Sequence, residues 1–88
     1  MRTEPLDMLV LDATGRRDDH RPEYRGKRIY GALFKAAKHA LTKGSLIVVH
    51  NMDPENPEMK TLVDELRAIN AIGVNYDTFN GLGAYVVV

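Results

Sequence analysis

The fold of this chain depends on the stretch KGSLIVVHN, residues 43–51, which reads as the end of a helix followed directly by a buried strand. Lys43 complements the negative end of a helix dipole, and Gly44 is a suitable helix stop. The run from Ser45 to His50 is rich in β-branched residues, which favour strands. This stretch therefore predicts that a helix passes into a strand of an α/β sheet.

Upstream of this stretch, the pattern predicts a strand, a loop and a helix. The short apolar run Leu6–Asp12 predicts a strand that is buried on both faces. The polar segment Ala13–Arg25 predicts a long loop, and helical periodicity extends over Gly26–Lys43. The expected apolar stripe of that helix consists of Ile29, Leu33, Ala36, Ala37, Ala40 and Leu41.

Downstream, the pattern predicts a second helix and a hairpin. Asn56 is a good N-cap for a helix that starts at Pro57 and carries Glu58 in its first turn. Its apolar face is expected to contain Met59, Leu62, Val63, Leu66 and Ile69. Ile72–Phe79 and Ala84–Val88 are predicted strands, joined by a turn at Asn80-Gly81-Leu82-Gly83 in which Asn-Gly supplies positive φ angles.

The predicted order of elements is β-α-β-α-β-β over a single domain of residues 1–88. Strands that alternate with helices imply right-handed crossovers and parallel pairing, whereas the closing hairpin adds an antiparallel strand. We therefore predict an α/β fold with a mostly parallel four-stranded sheet and a C-terminal antiparallel hairpin, which is a half Rossmann-like arrangement.

Composition excludes several classes of protein. The 88 residues contain no cysteine, which rules out a disulfide scaffold, a cysteine zinc site and a thiol nucleophile. Twelve basic and twelve acidic residues balance, so that the net charge favours neither nucleic acid nor an acidic membrane. Because no apolar run approaches the roughly 20 residues of a membrane span and the N-terminus is polar, we expect a cytoplasmic soluble domain.

Three short strings resemble one family when they are taken with the predicted strand order. Asp7–Asp12 is similar to a strand that ends in an acidic residue, and residues 41–49 are similar to a strand preceded by L-x-x-G-G. His50-Asn51 stands where catechol-type O-methyltransferases carry Asp-Asn. The chain thus resembles the C-terminal half of a class I S-adenosylmethionine-dependent methyltransferase, and the helix from Arg28 adds a likeness to spermidine synthases.

The resemblance implies that the last strand lies between its two predecessors. It also implies a methyltransferase-like half domain, inactive alone, that acts as a subunit or a self-associating module. The sequence contains no Gly-x-Gly-x-x-Gly turn, so we expect that the isolated chain binds no S-adenosylmethionine. Any reaction would be that of an S-adenosylmethionine-dependent transferase completed by a partner chain, which would make S-adenosylmethionine and a divalent metal possible cofactors.

Asp12, His50 and Asn51 are the candidate site residues, because ligands bind at the carboxyl ends of parallel strands. Carboxylate, imidazole and amide oxygen suit a divalent ion of the Mn, Fe, Ni or Zn type. In the resemblance the three match the magnesium ligands of catechol-type O-methyltransferases, and Asp12 becomes the candidate catalytic residue. The alternative is structural: Asp12 accepts hydrogen bonds from loop amides and Asn51 starts a turn.

Two hypotheses about partners follow from the sequence. Leu6–Leu11 would be an uncovered apolar edge strand, so we expect a homodimer or a partner chain paired along it. The alternative function is a non-enzymatic anion- or nucleic-acid-binding protein that uses the basic loop 16–28, whose basic residues are interleaved with Tyr24 and Tyr30. Three acidic residues in the same stretch argue against nucleic acid, and the other interpretation is a mobile loop that would cover the crevice of the methyltransferase-like fold.

Overall fold

The computed structural model describes residues 6–76 and 81–88, which form four strands and two α-helices. In chain order these are β1 (Leu6–Leu11), α1 (Ile29–Ala37), β2 (Leu41–His50), α2 (Lys60–Ala68), β3 (Ile72–Tyr76) and β4 (Leu82–Val86). Single turns of 3-10 helix occupy Pro22–Tyr24, Lys38–Ala40 and Pro57–Met59. Within the described ranges, neither α-helix has the length and apolar character that a membrane span requires.

The four strands form one mixed sheet in the order β1-β2-β4-β3. The predicted α/β fold is confirmed, and β4 lies between its two predecessors as expected. The prediction of a mostly parallel sheet is wrong, because β1 and β2 are the one parallel pair among the described strands. The hairpin causes this difference: β4 returns antiparallel to β3 and also separates β3 from β2.

Both helices pack on the same face of the sheet. Alternate residues of the strands point toward them, which is why Ile47 and Val49 are buried whereas the side chains between them are not. The buried apolar residues form a cluster of Leu11, Tyr30, Phe34, Ile47, Val49, Met52, Met59, Leu62, Leu66 and Tyr85. The expected apolar face of α2 is confirmed, since its remaining members Val63 and Ile69 are partly buried against this cluster.

The predicted apolar stripe of α1 is confirmed only in part, because its members Ile29 and Leu41 are partly buried against the core cluster. Tyr30 and Phe34 are the large buried side chains of this helix, whereas Leu33 and Ala36 are exposed. Gly31 explains the rotation: a Cβ there would lie 2.7 Å from Cγ2 of Thr61, so the two helices approach each other closely at this glycine. With Gly31 facing α2, the neighbouring aromatic residue points into the core and Leu33 points outward.

The predicted helix end at Lys43-Gly44 is also wrong. α1 ends at Ala37, and Gly44 lies within β2, where its N–H donates to the Val87 carbonyl oxygen at 2.8 Å. The register between β1 and β2 is irregular at this point, and Gly44 adopts a φ of 92°. The glycine thus supplies the positive φ that the sequence indicated, although it does so in a bulged strand and not at a helix end.

The start of the second helical segment and the hairpin agree with the sequence. The Asn56 side chain accepts a hydrogen bond from the Glu58 N–H at 3.0 Å, which confirms the predicted N-cap, and the segment from Pro57 begins as a 3-10 turn. β3 and β4 pair antiparallel, as predicted. Residues 77–80 of the predicted strand and turn lie outside the described residues, and β4 begins at Leu82 instead of at Ala84.

Candidate functional site

The carboxyl ends of β1 and β2 bring Asp12 and His50 together. Because Leu11 and Val49 are partners in the parallel register, the residues that follow them meet at this edge. Asp12 Oδ1 lies 3.2 Å from His50 Nδ1, and the two side chains are 64% and 47% exposed. Asn51 follows in a turn with a φ of 57°, so its predicted role in starting a turn is confirmed, while its role as a metal ligand stays a prediction.

The buried hydroxyl of Tyr30 bonds to the ends of both strands from the side of the sheet that the helices cover. It donates to the carbonyl oxygen of His50 at 2.9 Å and accepts from the Ala13 N–H at 3.3 Å. Lys27 Nζ donates to the same hydroxyl at 3.1 Å and to the Ala13 carbonyl oxygen at 2.9 Å. One helical side chain thereby ties together the ends of both strands, and sequence periodicity gave no sign of it because these contacts span 17 and 20 residues.

The segment between β1 and α1 is an organised loop. Gly15 and Gly26 close it by two reciprocal backbone hydrogen bonds of 3.0 and 3.1 Å. Inside it, Asp19 accepts hydrogen bonds from the side chain and the backbone N–H of Arg21, which lower the pKa of Asp19 to about 2. Arg25 Nε donates to the Asp19 carbonyl oxygen at 2.6 Å. The loop therefore has a defined shape above the carboxyl edge of the sheet.

Glu58 clamps this loop to the start of the second helical segment. Its Oε2 lies 2.9 Å from Arg17 Nη1, and its Oε1 accepts from the Lys27 N–H at 2.8 Å. The bond from Arg17, followed by that from Lys27, lowers the pKa of the Glu58 carboxyl, whose side chain is only 18% exposed. Gly26, with a φ of 55°, lies against this carboxylate. A residue with a Cβ would not fit there, because the Cβ would lie 2.3 Å from Oε1.

Three of the six basic side chains of loop 16–28, those of Arg16, Arg17 and Arg21, pair with carboxylates among the described residues. Arg16 pairs with Asp18 at 3.1 Å, and Arg21 pairs with Asp19 at 3.1 Å while lying over the Tyr24 ring. Arg28 is exposed and lines a groove of about 430 Å³ between the loop and the two helices. Of the two tyrosines that the sequence places among these basic residues, Tyr30 is buried in the core, whereas Tyr24 lies beneath Arg21.

The Asp12–His50 pair fits a divalent cation as two of its ligands. Ligand atoms at about 2.0–2.1 Å from an ion lie roughly 2.8–3.0 Å apart when they are adjacent in octahedral geometry and roughly 3.3–3.4 Å apart in tetrahedral geometry. The observed 3.2 Å lies between these values, close to the tetrahedral one. No group of three or more histidine, aspartate or glutamate side chains suited to a metal occurs in the described part of the chain. A cation bound here would therefore need further ligands beyond these two side chains.

These interactions define the site as a paired carboxylate and imidazole on a strand edge, supported by Tyr30, whose hydroxyl is also bonded to Lys27 at the end of the clamped loop. Its interpretation rests on this geometry. A comparison of the chain with protein-family models, with curated proteins and with solved structures finds no match in any of the three.

Proposed function

We propose that this chain is a methyltransferase-like half domain that acts as a subunit and associates through the free edge of β1. The observation that carries the proposal is the position of β1, which within the described ranges has β2 on one side and no strand on the other. Such an edge presents unpaired N–H and C=O groups that another strand can bind. The homodimer and the partner chain are the two forms that this association would take.

The sequence of β1 supports pairing along this edge. Of its residues, LDMLVL, only Asp7 is charged, and Asp7 lies near the beginning of the strand. Edge strands of monomeric proteins are usually blunted by lysine, proline or a bulge in the exposed part. A partner strand along β1 would form several backbone hydrogen bonds, each contributing about 0.5–1.5 kcal/mol net.

The methyltransferase-like part of the proposal is supported by the strand order β1-β2-β4-β3 and by Asp12 and His50 at the strand ends. With a partner chain that contributes a glycine-rich turn, S-adenosylmethionine would bind beside this edge. Asp12 would then be the catalytic residue, and with His50 and Asn51 it would hold a divalent cation. We place this assembly in the cytoplasm. A chain without cysteine forms no disulfide and therefore does not require an oxidising compartment.

Sedimentation and hydrogen exchange test the association. We expect a larger species at high than at low micromolar concentration, together with slow exchange of the β1 amides that point away from β2. The outward amides of β3, at the opposite edge of the sheet, are the matched control and should exchange fast. A chain that is monomeric throughout, with fast exchange on both edges, would refute the proposal.

Calorimetric titration with S-adenosylmethionine tests the expected dependence on a partner. We expect no saturable heat from the isolated chain, because its sequence contains no glycine-rich turn for the cofactor. Saturable binding by the chain alone would show that the cofactor does not need a partner. The association proposal would survive that result, since it depends on the β1 edge.

The alternative proposal, an anion- or nucleic-acid-binding protein that uses the basic loop 16–28, has weaker support. Arg16, Arg17 and Arg21 each face a carboxylate, so that among the described residues only Arg25, Lys27 and Arg28 of this loop are left without a carboxylate partner. Titration with a generic oligonucleotide at two salt concentrations separates the alternatives, because phosphate contacts weaken steeply as salt rises. Tight, strongly salt-dependent binding would favour the alternative.

A further inference from the structure

The face of the sheet that lies opposite the helices is apolar and uncovered among the described residues. Two rows of side chains cross all four strands on this face. The first row is Met8, Leu46, Val86 and Ile72, and the second is Val10, Val48, Ala84 and Val74. All eight of these side chains are apolar. We call these two rows, with Leu82 and Val88, the open face.

The exposure of the open face is unusual for a folded chain. Six of its members, Met8, Val10, Ile72, Val74, Val86 and Val88, are between 41% and 66% exposed. Single exposed apolar residues are ordinary, but a contiguous set across a whole sheet marks an interaction surface. An antiparallel or mixed sheet with a solvated face normally alternates apolar with polar residues, and here both faces are apolar.

We propose that the open face binds the open face of a second copy of this chain, so that the two sheets pack against each other. This surface goes beyond the β1 edge, because β2, β3 and β4 contribute to it as much as β1 does. Stacked sheets lie about 10 Å apart with strand directions within about 30°, and β-branched side chains interdigitate well in that arrangement. The result would be four layers, with helices on both outer sides.

The area of the open face is of the size that a small interface needs. A residue on one face of a sheet occupies about 4.8 Å by 6.7 Å, so ten residues cover roughly 300 Å² of sheet plane and more accessible surface, because side chains project. A specific interface needs about 1,000 Å² in total, which is about 500 Å² from each copy. The sheet plane of the open face thus supplies more than half of that area, and the rest must come from its projecting side chains and its rim.

Charge favours a second copy as the occupant over a charged partner. A two-fold arrangement brings apolar rows against apolar rows, so no like charges meet in the interface. The helix layers lie outside the two sheets, which separates their charges by more than the Debye length of about 8 Å. Asp12 and His50 lie where the open face meets the carboxyl edge of the sheet, and they would form part of the polar rim that surrounds an apolar interface core.

The substitution Val74→Lys tests this proposal. Val74 lies on the open face but on β3, at the edge of the sheet opposite to β1. We expect wild type to dimerise at high micromolar concentration and Val74→Lys to lose the open-face dimer, so that any dimer left in this variant shows protected β1 amides. Ala36→Lys, which adds the same charge to the exposed side of α1, is the matched control and should dimerise like wild type. Circular dichroism verifies folding, and Val74→Thr is the milder variant if the lysine prevents it.

The outcomes distinguish this proposal from pairing along β1. Dimerisation of Val74→Lys to the same extent as wild type would overturn the open-face dimer, and protected β1 amides in that dimer would still support edge pairing. Intermolecular nuclear Overhauser effects between the Val10 and Val74 methyl groups of differently labelled copies are expected for facing sheets. A monomeric wild type would overturn the open-face dimer, and solvent-shielded Val10 and Val74 methyls in that monomer would mean that another part of the chain covers the face.

Discussion

At the scale of single residues, the hydroxyl of Tyr30 is the contact that joins most parts of the site. It is buried and bonded to the Ala13 N–H, the His50 carbonyl oxygen and Lys27 Nζ. We expect Tyr30→Phe to lower the free energy of unfolding by about 1–3 kcal/mol, because it leaves buried backbone groups without that partner.

Denaturant unfolding measures this loss, and Tyr24→Phe is its control. The Tyr24 hydroxyl has no hydrogen bond within the described part of the chain, and its ring lies on the surface beneath Arg21. The control should therefore change stability by less than about 0.5 kcal/mol. Equal effects of the two substitutions would mean that the Tyr30 hydroxyl does not stabilise the strand ends.

The second prediction for a single residue concerns the His50 side chain. If Asp12 and His50 are two ligands of a cation, His50→Ala removes the nitrogen donor and should weaken Zn²⁺ or Mn²⁺ binding about 10-fold or more. His20→Ala is a matched control, because His20 also lies beside an aspartate, with Nδ1 3.7 Å from Asp19 Oδ1. Unchanged affinity in His50→Ala, or an equal loss in both variants, would remove the metal site.

At the scale of elements, the Glu58 clamp makes the order of loop 16–28 depend on pH. In the folded chain the pKa of the Glu58 carboxyl is lowered from 4.5. The clamp therefore adds stability that is fully present above the pKa that this carboxyl has in the unfolded chain, and that is lost as the pH falls through its pKa in the folded chain. We expect exchange of the Lys27 amide, which donates to Glu58, to accelerate relative to other loop amides below about pH 4.

Glu58→Gln separates this effect from the rest of the loop. The amide oxygen can still accept from the Lys27 N–H, but the charge that attracts Arg17 is gone, so protection should be lower at neutral pH and less dependent on acid. The contribution of Asp19 to stability is lost as the pH falls from 3.8 to about 2, and this loss occurs in both wild type and Glu58→Gln. A Lys27 amide with the same acid response in wild type and Glu58→Gln would contradict the clamp.

Elements whose signals are local were predictable from sequence, and those fixed by distant contacts were not. The Asn56 cap and the apolar face of α2 follow from neighbouring residues, and the structure confirms both. The rotation of α1 follows from the approach of Gly31 to Thr61, thirty positions away, which periodicity cannot show. The meeting of Asp12 and His50 was predictable once two parallel strands were assumed, whereas the Glu58 clamp joins residues 41 positions apart.

At the scale of the whole molecule, the open face and the β1 edge are consequences of the same arrangement. Both helices lie on one side of the sheet, so the core has a single covered face. A chain of this size buries only about 60–65% of its unfolded surface, and much of the apolar surface that remains accessible here is gathered on one sheet face. Association is therefore expected to contribute directly to the stability of the fold.

This coupling predicts that the thermal midpoint rises with protein concentration. When folding and dimerisation are linked, a tenfold increase in concentration adds about 1.4 kcal/mol per dimer, or about 0.7 kcal/mol per chain. For a domain of this length that corresponds to a shift of roughly 3–6 °C per tenfold change. Calorimetry of wild type and Ala36→Lys should show the shift, and the shift should be smaller in Val74→Lys, which loses the open-face contact. A constant midpoint in wild type would mean that each chain is stable alone with its open face in water.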